Sequence, residues 1–262
     1  MQSITPVRAA KPVTVSIVSH GQLGMILPLL EQLSQFSAPL LDKVVLTHNV
    51  PEADLLADRH FGFALQRIHN STPKGFGANN NQAFKHCDSG WFLVLNPDIR
   101  FDDEVLRPLI EQASPRAGLM APRIMEPGKI EPEQHRRIIT PLEILTRRRP
   151  GYSIPEAPDW IPGLFMLFRS EAFEEIKGFD ERRYFMYGED FDICARLHLA
   201  GWRLQIGEAL RVRHEAQRAS RTSWRHLYWH VTSLLKVWGS GVFWQLRHRL
   251  KNSANQDAAL RP

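Results

Sequence analysis

The chain of 262 residues holds only two cysteines, Cys87 and Cys194, with no CxxC spacing, which argues against a disulfide framework and a cysteine-built zinc site. That scarcity fits a reducing compartment. No apolar run reaches the roughly 18 residues that a membrane span needs, and residues 1–12 lack the apolar stretch of a secretory signal. The expected location is the cytoplasm. Acidic residues thin out toward the end: residues 211–251 carry nine Arg or Lys against the single acid Glu215. With a net charge of +5 overall, residues 1–210 are left at −3, so a basic segment follows a mildly acidic body. A dinucleotide fingerprint is missing too, because Gly75-x-Gly77 lacks the third glycine and does not follow the first strand. Nothing accompanies the basic charge that would mark a nucleic-acid-binding motif.

What is present is alternation. Val13–Val18 reads as a buried strand and Leu23–Phe36 as a helix with apolar residues three and four apart. Strands are expected at 43–47, 64–68 and 91–95, with a helix from Gly75 to Cys87 and another capped by Asp102 or Asp103 and running to about Ala113. This order predicts a doubly wound, mostly parallel sheet. Seven prolines between Glu126 and Pro162, with the basic run Arg147-Arg148-Arg149, predict a long loop holding one short helix near 141–145. A strand then follows at 165–168, a helix capped by Ser170 with Gly178 beyond its end, a helix at 191–200, and strands at 202–206 and 210–214.

Two acidic segments stand out. Trp91–Leu95 runs into Asn96-Pro97-Asp98, which places a carboxylate beyond a strand's carboxyl end, where ligands of α/β sheets bind. Asp98 is either a metal or phosphate-site ligand or a turn residue bonding its own backbone. Tyr187-Gly188-Glu189-Asp190-Phe191-Asp192 crowds three carboxylates at a helix start. One is explained by capping and Asp192 by pairing with Arg196 at i,i+4, which leaves a second acid needing a cation or a functional pKa shift. His214, at the end of a strand, is either structural or a third ligand.

Residues 222–238 place Trp224, Leu227, Tyr228, Val231, Leu234, Leu235 and Trp238 on one helical face. Gly239-Ser240-Gly241 interrupts before a second aromatic and basic stretch through Lys251. Packing on the domain, pairing in a homodimer, and peripheral membrane contact through 222–251 all fit this pattern.

The ordered segments Lys74-Gly75-Phe76-Gly77-Ala78-Asn79-Asn80-Asn81, Leu93–Asp98, Trp160-Ile161-Pro162-Gly163, Gly178-Phe179-Asp180-Glu181 and Tyr187–Arg196, ending at Ala200-Gly201-Trp202, resemble the inverting family 2 glycosyltransferases. The likeness is greatest to their rhamnosyltransferase-like branch and spans about residues 13–215. It implies a single GT-A (Rossmann-like) α/β domain with a mixed, mostly parallel sheet. Residues 13–113 would form its nucleotide-sugar half and 160–215 its acceptor and catalytic half, after a tail at 1–12 and before a basic amphipathic helical extension at 216–262. It further implies a nucleotide-diphosphate sugar donor, a divalent metal (Mg or Mn), and a glycan or lipid-linked glycan acceptor in cell-surface polysaccharide synthesis at the inner face of the cytoplasmic membrane. Asp98 would bind metal, His214 complete that site, Asp190 act as base and Glu189 orient base or acceptor. Ser19, His48, Asn49, Gly75, Gly77, Asn80, Asn96, Asp98 and Gly163 would line the donor site. The sequence departs from the family where His48-Asn49 follow the second strand in place of the usual aspartate. Two rival expectations remain: a sugar-nucleotide pyrophosphorylase, whose basic phosphate loop Ser19–Gly24 lacks, and a non-catalytic carbohydrate-binding scaffold.

Overall fold

The computed structural model describes residues 12–126, 128, 136–147, 149, 151–152, 155, 157–215 and 224–259; the side chains of 224–227, 229 and 253–259 are not described. Arg148, Thr222 and Ser223 of the expectations above lie outside these residues. The elements are β1 (Val13–Ser19), α1 (Leu23–Phe36), β2 (Leu41–His48), β3 (Ala64–His69), α2 (Phe76–Phe84), β4 (Trp91–Leu95), β5 (Ile99–Arg100), α3 (Leu106–Glu111), β6 (Ala117–Met125), α4 (Pro141–Thr146), β7 (Phe165–Arg169), α5 (Ser170–Glu175), α6 (Glu189–Leu199), β8 (Arg203–His214), α7 (Trp224–Trp238) and α8 (Gly241–Ala259).

One sheet of eight strands, in the order β3-β2-β1-β4-β7-β6-β8-β5, carries the architecture. The pairs β1–β2, β2–β3, β1–β4 and β6–β8 are parallel. β7 runs against both β4 and β6, and β5 against β8. Because β4 and β6 are both opposed to β7, they point the same way. The carboxyl ends of β1, β2, β4, β6 and β8 therefore share one edge with the amino end of β7. β4 is apolar throughout and β1 is buried along nearly its whole length, its Thr14 and Ser16 hydroxyls bonded to Ser89 and Asn80, as central strands covered on both faces require.

The structure corrects several expectations. β6 went unread, although it lies in the middle of the sheet: Gly118 and Pro122 break its apolar pattern. Gly118 is required because a Cβ there would lie 2.7 Å from Trp202 Cβ. Pro122 sits past the residues that pair with β7, Leu119 and Met120, so its missing N–H interrupts no ladder on that side. The strands expected at 202–206 and 210–214 are one strand, β8, whose partner in the β6 ladder jumps from Gly207 to Arg211. α3 begins at Leu106 rather than after Asp102 or Asp103, with the Glu104 carboxylate accepting from the Leu106 and Arg107 amides. Ser170 is the first residue of α5 rather than its cap, and its hydroxyl donates to the Ser89 carbonyl at 2.6 Å.

Gly75 and Gly77, at the start of α2, are packing glycines. A Cβ on Gly75 would collide with the Phe185 carbonyl, and one on Gly77 would lie 2.7 Å from Phe179 Cβ. These contacts press α2 against the segment that leads to α6. α7 and α8 also pack on the body: Val237, Phe243 and Leu246 are buried, and Ser233 Oγ donates to the Met186 carbonyl at 2.8 Å.

Candidate active site

The site grows from the carboxyl edge of the sheet. Beyond β4, the Asn96 amide donates to the Leu164 carbonyl at 3.0 Å, tying the turn to the amino end of β7. Asp98 follows, and the Glu215 amide holds its carbonyl at 2.8 Å, so the ends of β4 and β8 are clamped together. Asp98 Oδ2 then lies 3.0 Å from His214 Nε2, while His214 Nδ1 faces Glu126 Oε1 at 4.0 Å. Three strand ends thus bring a carboxylate, an imidazole and a second carboxylate into line. Asp98 Oδ1 and His214 Nδ1 are buried without a hydrogen-bond partner, a costly state for polar atoms unless a ligand completes them. Behind them Arg100 is pinned by the Pro97, Ile99 and Met25 carbonyls and pairs with Glu215 at 2.9 Å.

Among the described residues no cluster of three or more His, Cys, Asp or Glu would hold a metal unaided. The Asp98–His214 pair nonetheless fits a divalent cation. It offers one hard oxygen and one imidazole nitrogen, an oxygen with no other partner, and room in the coordination shell for the phosphate oxygens on which Mg²⁺ and Mn²⁺ sites of this kind rely.

The second part of the site is the start of α6. Tyr187 and Gly188 both adopt left-handed backbone, with φ of 66° and 86°, and this double turn swings the chain into the helix. The N-cap position of α6 is Gly188, so no N-cap side chain closes the helix. Asp190 Oδ1 accepts from the Phe191 amide at 2.8 Å and Oδ2 from the Gly163 amide at 3.3 Å. Since Leu164 is bonded to Asn96, two hydrogen bonds in series link the Asp190 carboxylate to the turn that carries Asp98. Burial raises the Asp190 carboxyl above the usual range, opposed by those two amides and by the charge of Arg136. Glu189 is raised as well, first by burial and then by the Asp190 charge, and its Oε2 is buried with no hydrogen-bond partner. Two adjacent carboxyls cannot both ionise cheaply in such a place. Asp192 is 3 % exposed and takes the structural role: Arg196 Nε donates to it at 2.7 Å.

The β1–β2 end of the edge is built differently. Ser19 Oγ and the Leu23 amide donate to Glu52 Oε2, at 2.8 and 3.1 Å, and His48 Nδ1 lies 2.8 Å from Glu52 Oε1. Arg67 Nε donates to His48 Nε2 at 3.2 Å, which leaves the proton on Nδ1 and the ring neutral; burial holds the His48 pKa low in agreement. Asn49 Oδ1 accepts from the Lys74 amide and from Asn70 Nδ2, and its Nδ2 donates to the Lys74 carbonyl. Asn80 is interior, bonded to Ser16 and to the Phe76 carbonyl.

Residues 51–177 match the family model "Glycosyl transferase family 2". Rhamnosyltransferase WbbL of Escherichia coli (strain K12) is 28% identical over 245 residues, covering 86% of this chain and 91% of that protein. The chain carries a family 2 glycosyltransferase domain and is rhamnosyltransferase-like. An N-acetylglucosaminyl-diphospho-decaprenol L-rhamnosyltransferase of Mycobacterium tuberculosis (strain ATCC 25618 / H37Rv) is 30% identical to the glycosyltransferase over 188 residues, 61% of each chain. Among solved structures, GalNAc-T7 with UDP, GalNAc and Mn²⁺ superposes with a TM-score of 0.66 at 16% identity, over 89% of this chain and 49% of that one. The mannosyltransferase PcManGT of Pyrobaculum calidifontis, in complex with GDP-Man and Mn²⁺, gives 0.59 at 16% identity, over 89% and 67%. The fold is GT-A.

Within this glycosyltransferase the structure gathers Asn96, Asp98, Gly163, Glu189, Asp190 and His214 around one edge, while Gly75, Gly77 and Asn80 serve the packing of α2. Sequence reasoning missed Glu126, which follows β6 as Asp98 follows β4, and would have flagged it had β6 been recognised. It also missed Arg136, whose guanidinium lies 4.6 Å over the Trp160 ring and is lowered to about 10 by burial, with the Asp190 charge opposing. The pair Arg136-Arg137 in a proline-rich stretch carries no local signal.

Proposed function

We propose that the glycosyltransferase moves a sugar from a nucleotide-diphosphate donor to a hydroxyl of a glycan diphosphate carried on a polyprenol lipid, with inversion and with a divalent cation. The observation that carries this reading is Asp190, a carboxylate with raised pKa held by Gly163 N–H beside the strand end that bears Asp98. Rhamnose is the first sugar to test, because both relatives named above are rhamnosyltransferases and one is named for a lipid diphosphate acceptor.

The chemistry follows from the charges. Asp190 ionises less readily than a surface aspartate, which raises its basicity toward an acceptor hydroxyl. It takes that proton as the oxygen attacks the anomeric carbon from the face opposite the leaving nucleotide, so configuration inverts. Glu189, kept protonated by burial and by its neighbour, adds no second negative charge and can donate a hydrogen bond to the acceptor. A cation on Asp98 and His214 would offset the charge gathering on the departing diphosphate. The charge of Arg136 near Asp190 opposes the effect of burial and favours the ionised base.

A non-catalytic binding role draws on one observation, the self-satisfied bonding of His48 and Asn49 where the family reads its base. Metal-dependent hydrolysis of nucleotide sugars decides between the two. Turnover of one donor that is lost in Asp190→Asn, with nucleotide binding retained, supports transfer; undiminished turnover by that variant overturns the assignment.

A further inference from the structure

α7 does not turn its most apolar face to the domain. The inward contacts come from Ser233 and Val237, both buried, and from His230, stacked on Tyr187 at 3.7 Å. Tyr228, Val231 and Leu235, at spacings of three and four, stay outside at 66%, 49% and 60% exposure. Trp238 Nε1 donates to the Ile139 carbonyl at 2.8 Å, which sets the end of α7 against the start of α4. α4 has no buried residue, and its Leu142 and Leu145 are 69% and 67% exposed on one face. Trp244 of α8, 53% exposed, donates to the Trp238 carbonyl at 2.8 Å and has Arg247 over its ring. Trp238 thus joins three helices that each carry exposed apolar side chains. A patch built this way is uncommon on a monomer's surface.

The charge around the patch selects its occupant. Residues 216–256 contain no Asp or Glu, while Arg147, Lys236 and Lys251 are exposed. A second copy of the chain would bring like charge against like. An anionic bilayer brings the opposite charge, and aromatic and basic side chains around aliphatic ones suit the headgroup boundary. We propose that α4, the outer stripe of α7 and Trp244 form a docking face for an anionic lipid membrane. This rests on the lipid-carried acceptor proposed above and adds its geometry. α7 lies directly on the loop before α6: Ser233 bonds the Met186 carbonyl, and a Cβ on Gly188 would touch Val237 at 3.0 Å. Docking through α7 thus sets Asp190 close to the bilayer surface, so that an acceptor keeps its chain in the lipid while its hydroxyl reaches the base.

The test uses the full chain and vesicles of phosphatidylcholine alone or with phosphatidylglycerol at a 7:3 ratio, read by flotation. Binding is expected to the anionic vesicles only, to weaken with added salt, and to fall about tenfold or more in Leu142→Ser/Leu145→Ser/Val231→Ser/Leu235→Ser. Circular dichroism and donor hydrolysis without vesicles report whether that variant stays folded, and light scattering reports self-association. No binding by the wild type, or equal binding by a folded variant, overturns the proposal; so does a wild-type dimer that the variant dissolves. If vesicles bind but no nucleotide sugar is turned over, docking stands and the transferase reading fails. If turnover is present and binding absent, the reverse holds.

Discussion

The two ends of the sheet's carboxyl edge use the same kinds of side chain to opposite ends. At the β1–β2 end, Ser19, His48, Glu52 and Arg67 form a closed network in which both Glu52 oxygens are taken, and Asn49 bonds Lys74 and Asn70, although Thr47 Oγ1 and Asn70 Oδ1 nearby have no hydrogen-bond partner. At the β4–β6–β8 end and the neighbouring start of α6, Asp98 Oδ1, His214 Nδ1 and Glu189 Oε2 are buried without a hydrogen-bond partner. A closed network spends its polar atoms on holding the fold, whereas an open one keeps them for something that arrives. The contrast teaches that polar type and position alone do not separate donor site from scaffold; the state of each oxygen and nitrogen does.

The comparison can be broken by mutation. Asp190→Asn should lose about 10²–10⁴-fold in transfer rate while nucleotide affinity by calorimetry changes little, since the Asn oxygen still accepts from one of the Phe191 and Gly163 amides but the side chain takes no proton. Asp98→Asn should lower metal-dependent turnover by about 10²-fold or more and raise the cation concentration for half-maximal rate, with the fold intact because the lost atom had no internal partner. Glu52→Gln should act the other way, costing roughly 1–3 kcal/mol in urea unfolding because a buried, three-partner carboxylate is replaced, with the catalytic rate of the folded fraction kept. A large rise in donor KM without that stability loss would mean the closed end reads the base after all.

The smallest effect concerns pH. Glu189 keeps its proton in the fold well above the usual carboxylate range, so the native state binds more protons than the unfolded one and loses stability as pH climbs through that window. Glu189→Gln removes the penalty. Its melting temperature should therefore gain on the wild type as pH rises, while its rate near neutrality stays within a few-fold, because glutamine mimics the protonated acid. A rate collapse at neutral pH would show that Glu189 works as an anion.

Much of this was legible from the residues, and the misses have physical causes. The run Trp91–Leu95 into Asn96-Pro97-Asp98 announces a buried strand and its exposed end together, and Asp192 with Arg196 announces its own pairing. β6 hid because its glycine and proline answer to neighbours far away in sequence, Trp202 and β7. Glu126 went with it. The saturation of His48 and Asn49 was equally hidden, since Glu52, Arg67, Asn70 and Lys74 reach them only in the folded chain. The face of α7 was read from periodicity as a single stripe; tertiary packing split it, half-burying Leu234 and Trp238 and leaving Tyr228, Val231 and Leu235 outside.

Tyr187 has a backbone that few residues other than glycine adopt, at a cost on the order of 1–3 kcal/mol, and its ring is held by stacking on His230 from α7. The ribosome delivers this tyrosine, and the base three residues after it, well before the helix that steadies them. During synthesis the sheet can close and the donor edge can form while the loop is still at liberty to relax. On the proposed chemistry, proton abstraction would then be the last competence the nascent chain acquires.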